Sequence, residues 1–268
     1  MSDFTAPSPE STVVAALRAA GCVFAEDEAR LLITAAGTPE ELAAMVARRA
    51  DGLPLEHVLG WAEFAGQRFA VDPGVFVPRR RTEFLVRVAV GLAAPGAVVL
   101  DLCCGSGAVG VALATVLGGG VELHAADLDP AAVRCARRNV ARVGGRVYEG
   151  DLFAPLPADL RGRVGLLAAN VPYVPSEEVG LLPPEARDHE ALMALDGGAD
   201  GLDVMRRVVA RAADWLAPGG SLLVESSGRQ ARRAAGLFTA AGLRAHVAES
   251  DELYATVVVG TRPPLDMS

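Results

Sequence analysis

From Thr82 to the C-terminus the chain alternates strand-like and helix-like runs, and that alternation leaves few folds open. Apolar runs rich in Val, Leu and Ala at 97–102, 121–126, 145–149, 164–169, 220–225, 243–248 and 254–260 predict strands. Segments of helical composition lie between them at 82–93, 108–117, 130–142, 202–216 and 228–240. Strands alternating with helices predict an α/β fold, with a mostly parallel sheet covered on both faces. Asp129 followed by Pro130 predicts an N-cap and first-turn pair for the third of these helices. Gly219-Gly220 predicts a break between helix and strand. The last two strands, with Asp251 and Glu252 between them, predict a hairpin that adds an antiparallel strand.

Upstream the pattern changes. Residues 1–9 are polar and Pro-rich, which predicts a frayed end. Ser11 predicts the cap of a helix through Ala20, stopped at Gly21. Two further amphipathic helices are expected over 25–36 and 39–49, the second capped by Thr38 ahead of Pro39. A helical unit of this size buries little core, so it should pack on its neighbour or on a substrate. Residues 61–78 have hairpin character, with Gly66 at the turn. Residues 174–200 form a loop long enough to suggest a functional role, and the expectation is a segment that closes over a substrate.

Composition narrows the partners. A formal net charge of −8 disfavours direct binding to a nucleic-acid backbone. The cluster Arg79-Arg80-Arg81 reads equally well as a solvated turn or as a patch that meets an acidic partner. The four cysteines have no metal-ligand spacing, and Cys103 and Cys104 are adjacent, a poor geometry for bridging each other. Cys22 and Cys135 read as small core residues on helices. A reduced cytoplasmic setting fits these thiols. No N-terminal signal pattern or membrane-length apolar run is evident. His57, His124, His189 and His246 are scattered and read as structural.

Two motifs carry chemistry. Val98 to Leu102 runs into Cys103-Cys104-Gly105-Ser106-Gly107, a strand entering a Gly-rich turn. Glycines at 105 and 107 admit a ligand close to the backbone. The spacing is not G-x-G-x-x-G, and no lysine occurs anywhere in the chain to complete a phosphate loop. A ligand with an amino-acid-like, unphosphorylated end is therefore expected. The next predicted strand ends at Asp127, roughly 20 residues past the turn, where a carboxylate suits ribose hydroxyls. The second motif, Asn170-Val171-Pro172-Tyr173, follows the apolar strand 164–169. Asn170 offers a side-chain oxygen. Pro172 biases Val171 toward an extended backbone, which turns its carbonyl toward a pocket. Two such acceptors can grip both N–H bonds of a planar NH2 group, with Tyr173 on its flat face. Together the motifs predict an S-adenosylmethionine-dependent nitrogen methyltransferase.

The chain resembles the HemK-like protein-(glutamine) methyltransferases, the release-factor glutamine methyltransferase family. The likeness covers most of the chain. It rests on the two motifs, on residues 48–60, on Glu63-Phe64 through Phe69, and on Val75-Phe76-Val77-Pro78-Arg79 with Arg81-Thr82-Glu83. Gly197-Gly198-Ala199-Asp200-Gly201-Leu202 completes it. Asn-x-Pro-Tyr by itself is unspecific, because nucleic-acid adenine methyltransferases carry similar tetrapeptides.

The resemblance implies a Rossmann-like methyltransferase sheet over residues 81–268, a β-hairpin linker over 61–80 and a helical substrate-recognition domain over 1–60. It implies S-adenosyl-L-methionine held by Asp101, Cys103, Cys104, Gly105, Ser106, Gly107, Asp127, Leu128, Asp151, Leu152 and Asn170. It implies catalysis at Asn170, Val171, Pro172 and Tyr173, without a metal, on a protein substrate such as a translation release factor. Departures stand out. Val171 replaces the usual proline, Arg80 replaces another, Cys103 replaces a glycine, and Leu152 stands where an aromatic is common. They suggest a divergent paralogue. Methylation of an exocyclic adenine nitrogen, of a small-molecule amide or amine, or cofactor binding without catalysis remain alternatives.

Overall fold

A computed structural model describes residues 8–264. Of the expected frayed end, residues 1–7 lie outside the described residues, but Ser8 and Pro9 are ordered into the first helix. Ser8, not Ser11, is its N-cap: the Ser11 N–H donates to Ser8 Oγ at 3.1 Å. Pro9 fits the first helical position because no intrahelical bond needs its missing N–H. Helices α1 (Pro9–Ala19), α2 (Ala25–Ala35) and α3 (Pro39–Ala50) match the predicted set. A short α4 (Leu55–Leu59), not anticipated, ends at Gly60 in a left-handed conformation. These helices enclose a small core of their own around Leu17, Ala29 and Leu32. Cys22 is not on a helix; it follows α1 and is half-buried.

Strands β1 (Trp61–Phe64) and β2 (Gln67–Ala70) form the hairpin. Ala65 and Gly66 both have positive φ (49° and 73°), the turn whose twist suits a two-residue hairpin. The C-terminal region then unfolds in order as α5 (Glu83–Val90), β3 (Val98–Leu102), α6 (Ala108–Leu117), β4 (Glu122–Asp127) and α7 (Pro130–Val140). It continues with β5 (Arg146–Glu149), β6 (Val164–Ala169), α8 (Pro184–His189), α9 (Asp203–Trp215) and β7 (Leu216–Ser226). It closes with α10 (Gly228–Ala240), β8 (Arg244–Ser250) and β9 (Ala255–Thr261).

The seven-stranded sheet has the order β5-β4-β3-β6-β7-β9-β8. All neighbours are parallel except β9, which runs antiparallel to both β7 and β8. Buried Leu, Val and Ala of β3, β6 and β7 form the centre, with one core on each face of the sheet. The order reverses between β3 and β6. That switch point opens a crevice at the carboxyl ends of these two strands, the usual ligand site of such sheets.

Two expectations need correction. Gly219 and Gly220 do not separate helix from strand. β7 begins at Leu216, directly after α9, and the glycines sit in a distorted stretch where its register with β6 shifts. A Cβ at Gly220 would lie 2.5 Å from the Val164 carbonyl oxygen, so the pairing itself requires glycine. Residues 174–200 are not structureless either. They contain 3-10 turns at Ser176–Leu181 and Leu192–Ala194 with α8 between them.

Candidate functional site

A cavity of about 630 Å³ occupies the switch point. It is bounded by the turn after β3, the ends of β4 and β6, the strip 76–82 and the segment 182–195. Its two halves differ in construction.

The first half is the glycine turn. Cys103, Cys104, Gly105 and Ser106 line it. The turn is closed by the Gly107 N–H donating to the Cys104 carbonyl at 2.7 Å. Gly107 has a φ of 79°, and a Cβ there would come within 2.9 Å of Val140, so this position admits only glycine. Cys103 and Leu152, two of the residues that depart from the family pattern, both hold left-handed backbone (φ 53° and 50°). That conformation costs a non-glycine residue on the order of 1–2 kcal/mol. Strain of this kind collects at ligand sites.

Asp127 ends β4 and faces the cavity. Its Oδ2 accepts the Gly105 N–H at 2.8 Å and its Oδ1 accepts the Asp129 N–H at 2.9 Å. Burial raises its pKa, while these N–H bonds favour the charged form. The carboxylate is therefore fixed in aim before any ligand arrives. Leu128, half exposed, and Leu152 complete an apolar rim. Asp151 also lines the cavity and forms an ion pair with Arg207, a wall residue the sequence reading missed.

Asp101 differs from the others expected to hold the cofactor. It is 1% exposed and absent from the cavity lining. Its Oδ2 accepts the Gly110 N–H at 2.8 Å, which ties β3 to the first turn of α6. Its contribution to the turn is support from behind.

The second half is the acceptor end. Asn170 follows β6 and lies on the wall with Val171, Pro172 and Tyr173. Val171 is 1% exposed, its side chain packed into the core, which fixes the backbone on either side of its carbonyl. The loop 197–201 lies flush on this motif. A Cβ on Gly197 would lie 2.7 Å from the Pro172 carbonyl oxygen, and one on Gly201 would lie 2.3 Å from that of Tyr173. This close approach accounts for the Gly-Gly-Ala-Asp-Gly run. Gln230 Nε2 donates to the carbonyls of both Tyr173 and Asp200 at 3.0 Å, locking the two segments together.

The arginine cluster is neither a solvated turn nor a free patch. Arg79 donates to Glu190 Oε2 at 2.6 Å and lies over the Phe76 ring; Arg81 donates to Glu225 Oε1 at 3.1 Å. Among the described residues, Arg80 alone of the three makes no ion pair. Glu190 also accepts the Val77 N–H at 3.1 Å, and Arg49 bridges Glu28 of α2 to Glu185 of α8. The segment over the cavity is thus pinned on two sides. Glu190 and Glu225 were missed as site residues. For Glu225 the signal was present: a lone carboxylate at the end of the buried run Leu222-Leu223-Val224.

Histidines 57 and 124 are buried and structural. The His57 ring bonds the Val75 carbonyl at 2.8 Å, and His124 sits between Tyr148 and Glu122. All four cysteines are free. Among the described residues no cluster could hold a metal ion, and no helix is long and apolar enough to cross a membrane.

A sheet with a terminal antiparallel insertion, a glycine turn after its first strand and an acid after its second define an S-adenosylmethionine-dependent methyltransferase. The residues fit that cofactor: the Gly105 backbone borders the cavity with no side chain of its own, and Asp127 is held toward it. Comparison with known proteins agrees. The family profile Methyltransferase small domain matches residues 67–174. The release factor glutamine methyltransferase of Geobacter sulfurreducens is 44% identical over 76% of this chain and 72% of its own. The 4-amino-L-phenylalanine/4-methylamino-L-phenylalanine methyltransferase of Streptomyces pristinaespiralis is 38% identical over 75% of this chain and 70% of its own. A methyltransferase of Pyrococcus furiosus shares the fold at a TM-score of 0.55 and 15% identity, covering 82% of this chain and 99% of that one. The chain belongs to the release factor glutamine methyltransferase family.

Proposed function

We propose that this enzyme methylates the side-chain amide nitrogen of a glutamine in a protein, with a peptide chain release factor as substrate. The observation that carries this reading is the position of Asn170-Val171-Pro172-Tyr173 on the wall of the same cavity that the glycine turn and Asp127 line. The names of relatives such as the Geobacter protein support it.

S-adenosylmethionine supplies an electrophilic methyl group on its sulfonium. The protein's work is to present a weak nucleophile. The Asn170 side-chain oxygen and the Val171 carbonyl accept the two N–H bonds of the amide, which leaves the nitrogen facing the methyl donor. Positive charge grows on that nitrogen as the new bond forms, so both oxygens bind more strongly in the transition state than in the ground state. Alignment of this kind is worth up to about 7–11 kcal/mol. Tyr173 holds the amide plane. No side chain is assigned as general base; the proton leaves to water after transfer.

In the same reading Asp127 holds the ribose hydroxyls, and Cys103 through Gly107, Leu128, Asp151 and Leu152 enclose the rest of the cofactor. Residues 1–60 serve as the substrate-recognition domain, 61–80 as linker and 81–268 as the catalytic domain, in a cytoplasmic enzyme. Asp127→Ala is expected to weaken cofactor affinity by roughly 10–100-fold, the value of hydrogen bonds to a charged group. Calorimetric titration with the cofactor measures this, and unchanged affinity would remove Asp127 from the ribose role.

A second reading has its own support in the Streptomyces relative, whose name specifies a small aromatic amine. Incubation with methyl-labelled cofactor separates the two. Label on glutamine of a release factor is expected. Label confined to 4-amino-L-phenylalanine, or to nucleic acid, would overturn the protein-substrate reading.

A further inference from the structure

The arginine cluster leads to a buried acid that the mechanism above does not use. Glu225 is the next-to-last residue of β7, and its side chain is only 3% exposed. A carboxylate so enclosed needs charged or hydrogen-bonding partners. Two reach it, and both reach the same atom. The Tyr173 O–H donates to Oε1 at 2.9 Å, and Arg81 Nε donates to Oε1 at 3.1 Å. Oε2 has no partner among the described residues. The Arg81 guanidinium also lies over the Tyr173 ring, 5.8 Å from its centre. Meanwhile the Tyr173 backbone is fixed by Gln230 and by the close packing of Gly201. With the backbone held, the remaining freedom is rotation of the ring, and Glu225 is what stops it.

We propose that Glu225 and Arg81 are positioning residues that set the Tyr173 ring at the acceptor end of the cavity, Arg81 by holding Glu225 and Glu225 by holding the phenol. The inference deepens the amide-clamp reading and rests on it. Neither residue needs to touch the substrate. The half-exposed Arg81 side chain pairs with a nearly enclosed carboxylate and offsets part of the cost of burying it.

The phenol reports on the bond directly. Burial, then the charge and hydrogen bond of Glu225, raise the Tyr173 pKa, while Arg81 and Arg79 pull it down. The ionisation is followed in protein labelled with tyrosine carrying carbon-13 at Cζ. Tyr173, assigned by Tyr173→Phe, is expected to ionise at lower pH in Glu225→Gln than in the wild type. A Tyr173 titration left unchanged by Glu225→Gln would overturn the proposal.

Kinetics provide the second readout. Tyr173→Phe and Glu225→Gln should each lower kcat for the glutamine acceptor by about tenfold, with cofactor Kd unchanged, and the double variant should be no slower than the worse single. Arg81→Met should shift kcat in the same direction. Full kcat in Tyr173→Phe, or additive losses in the double variant, would also overturn it. Asn170→Ala run alongside keeps the two ideas apart. A wild type inert toward glutamine sinks the substrate reading, and the phenol titration still decides the Tyr173–Glu225 bond. An active wild type with unaffected variants sinks only the present inference.

Discussion

Asn170→Ala is expected to lower methyl transfer to glutamine by about 10³-fold, the upper range for removing one pre-aimed polar group at a developing charge. The size follows from how little else the site offers. The amide nitrogen is a poor nucleophile because its lone pair is shared with the carbonyl. With the Asn170 oxygen gone, only the Val171 carbonyl remains to hold one N–H, and the nitrogen can turn away from the methyl donor. The loss should appear in kcat, because the acceptors act most strongly in the transition state. The fold should survive, since Asn170 is half-buried at the end of β6 and the core residue next to it is Val171. Cofactor binding should be weakened but measurable, since the glycine turn and Asp127 are untouched. Single-turnover methylation with calorimetry on the same sample makes the comparison. A variant that turns over at the wild-type rate would mean that the amide is gripped elsewhere.

The parts of this site that were legible in the sequence are those built from backbone and short range. Gly105 and Gly107 beside a strand end, Asp127 before an N-cap, and Asn170-Val171-Pro172-Tyr173 after an apolar run each carry their geometry locally. Helices α6 and α10 and strand β6 were read with the bounds they have, because composition and breakers agree there. The errors lie where tertiary contact decides. Gly219-Gly220 looked like punctuation, yet Gly220 is required because the Val164 carbonyl approaches it across the sheet, and Gly219 holds a φ of 78°. The segment 174–200 lacks a helical period, and its short turns are held by distant partners: Glu185 by Arg49 and Glu190 by Arg79. The arginines at 79 and 81 could not be paired from sequence, since their carboxylates lie 111 and 144 residues downstream. Asp101 shows the reverse case. Its place in the motif suggested contact with the cofactor, and only the side-chain direction reveals that it props the turn from behind.

That buried position gives Asp101 an expected signature in stability. Burial raises its pKa to about 7, with the Asp127 charge adding to the effect and the Gly110 N–H opposing it. The folded protein therefore keeps a proton on Asp101 at pH values where the unfolded chain, with an ordinary carboxyl, has lost it. Between about pH 4 and pH 7 the folded state binds more protons than the unfolded state, so stability falls as pH rises through this window. The contribution is fully present below about pH 4 and gone above about pH 7. A displacement of roughly three pH units corresponds to about 4 kcal/mol over the whole window. Asp101→Asn keeps an oxygen that can accept the Gly110 N–H but cannot ionise. Its stability relative to wild type should therefore rise by about that amount between pH 4 and pH 8. Urea unfolding of both proteins across this range measures the difference directly. Parallel curves would show that Asp101 ionises in the folded protein as readily as in the unfolded chain, and that water or a cation reaches it behind the glycine turn.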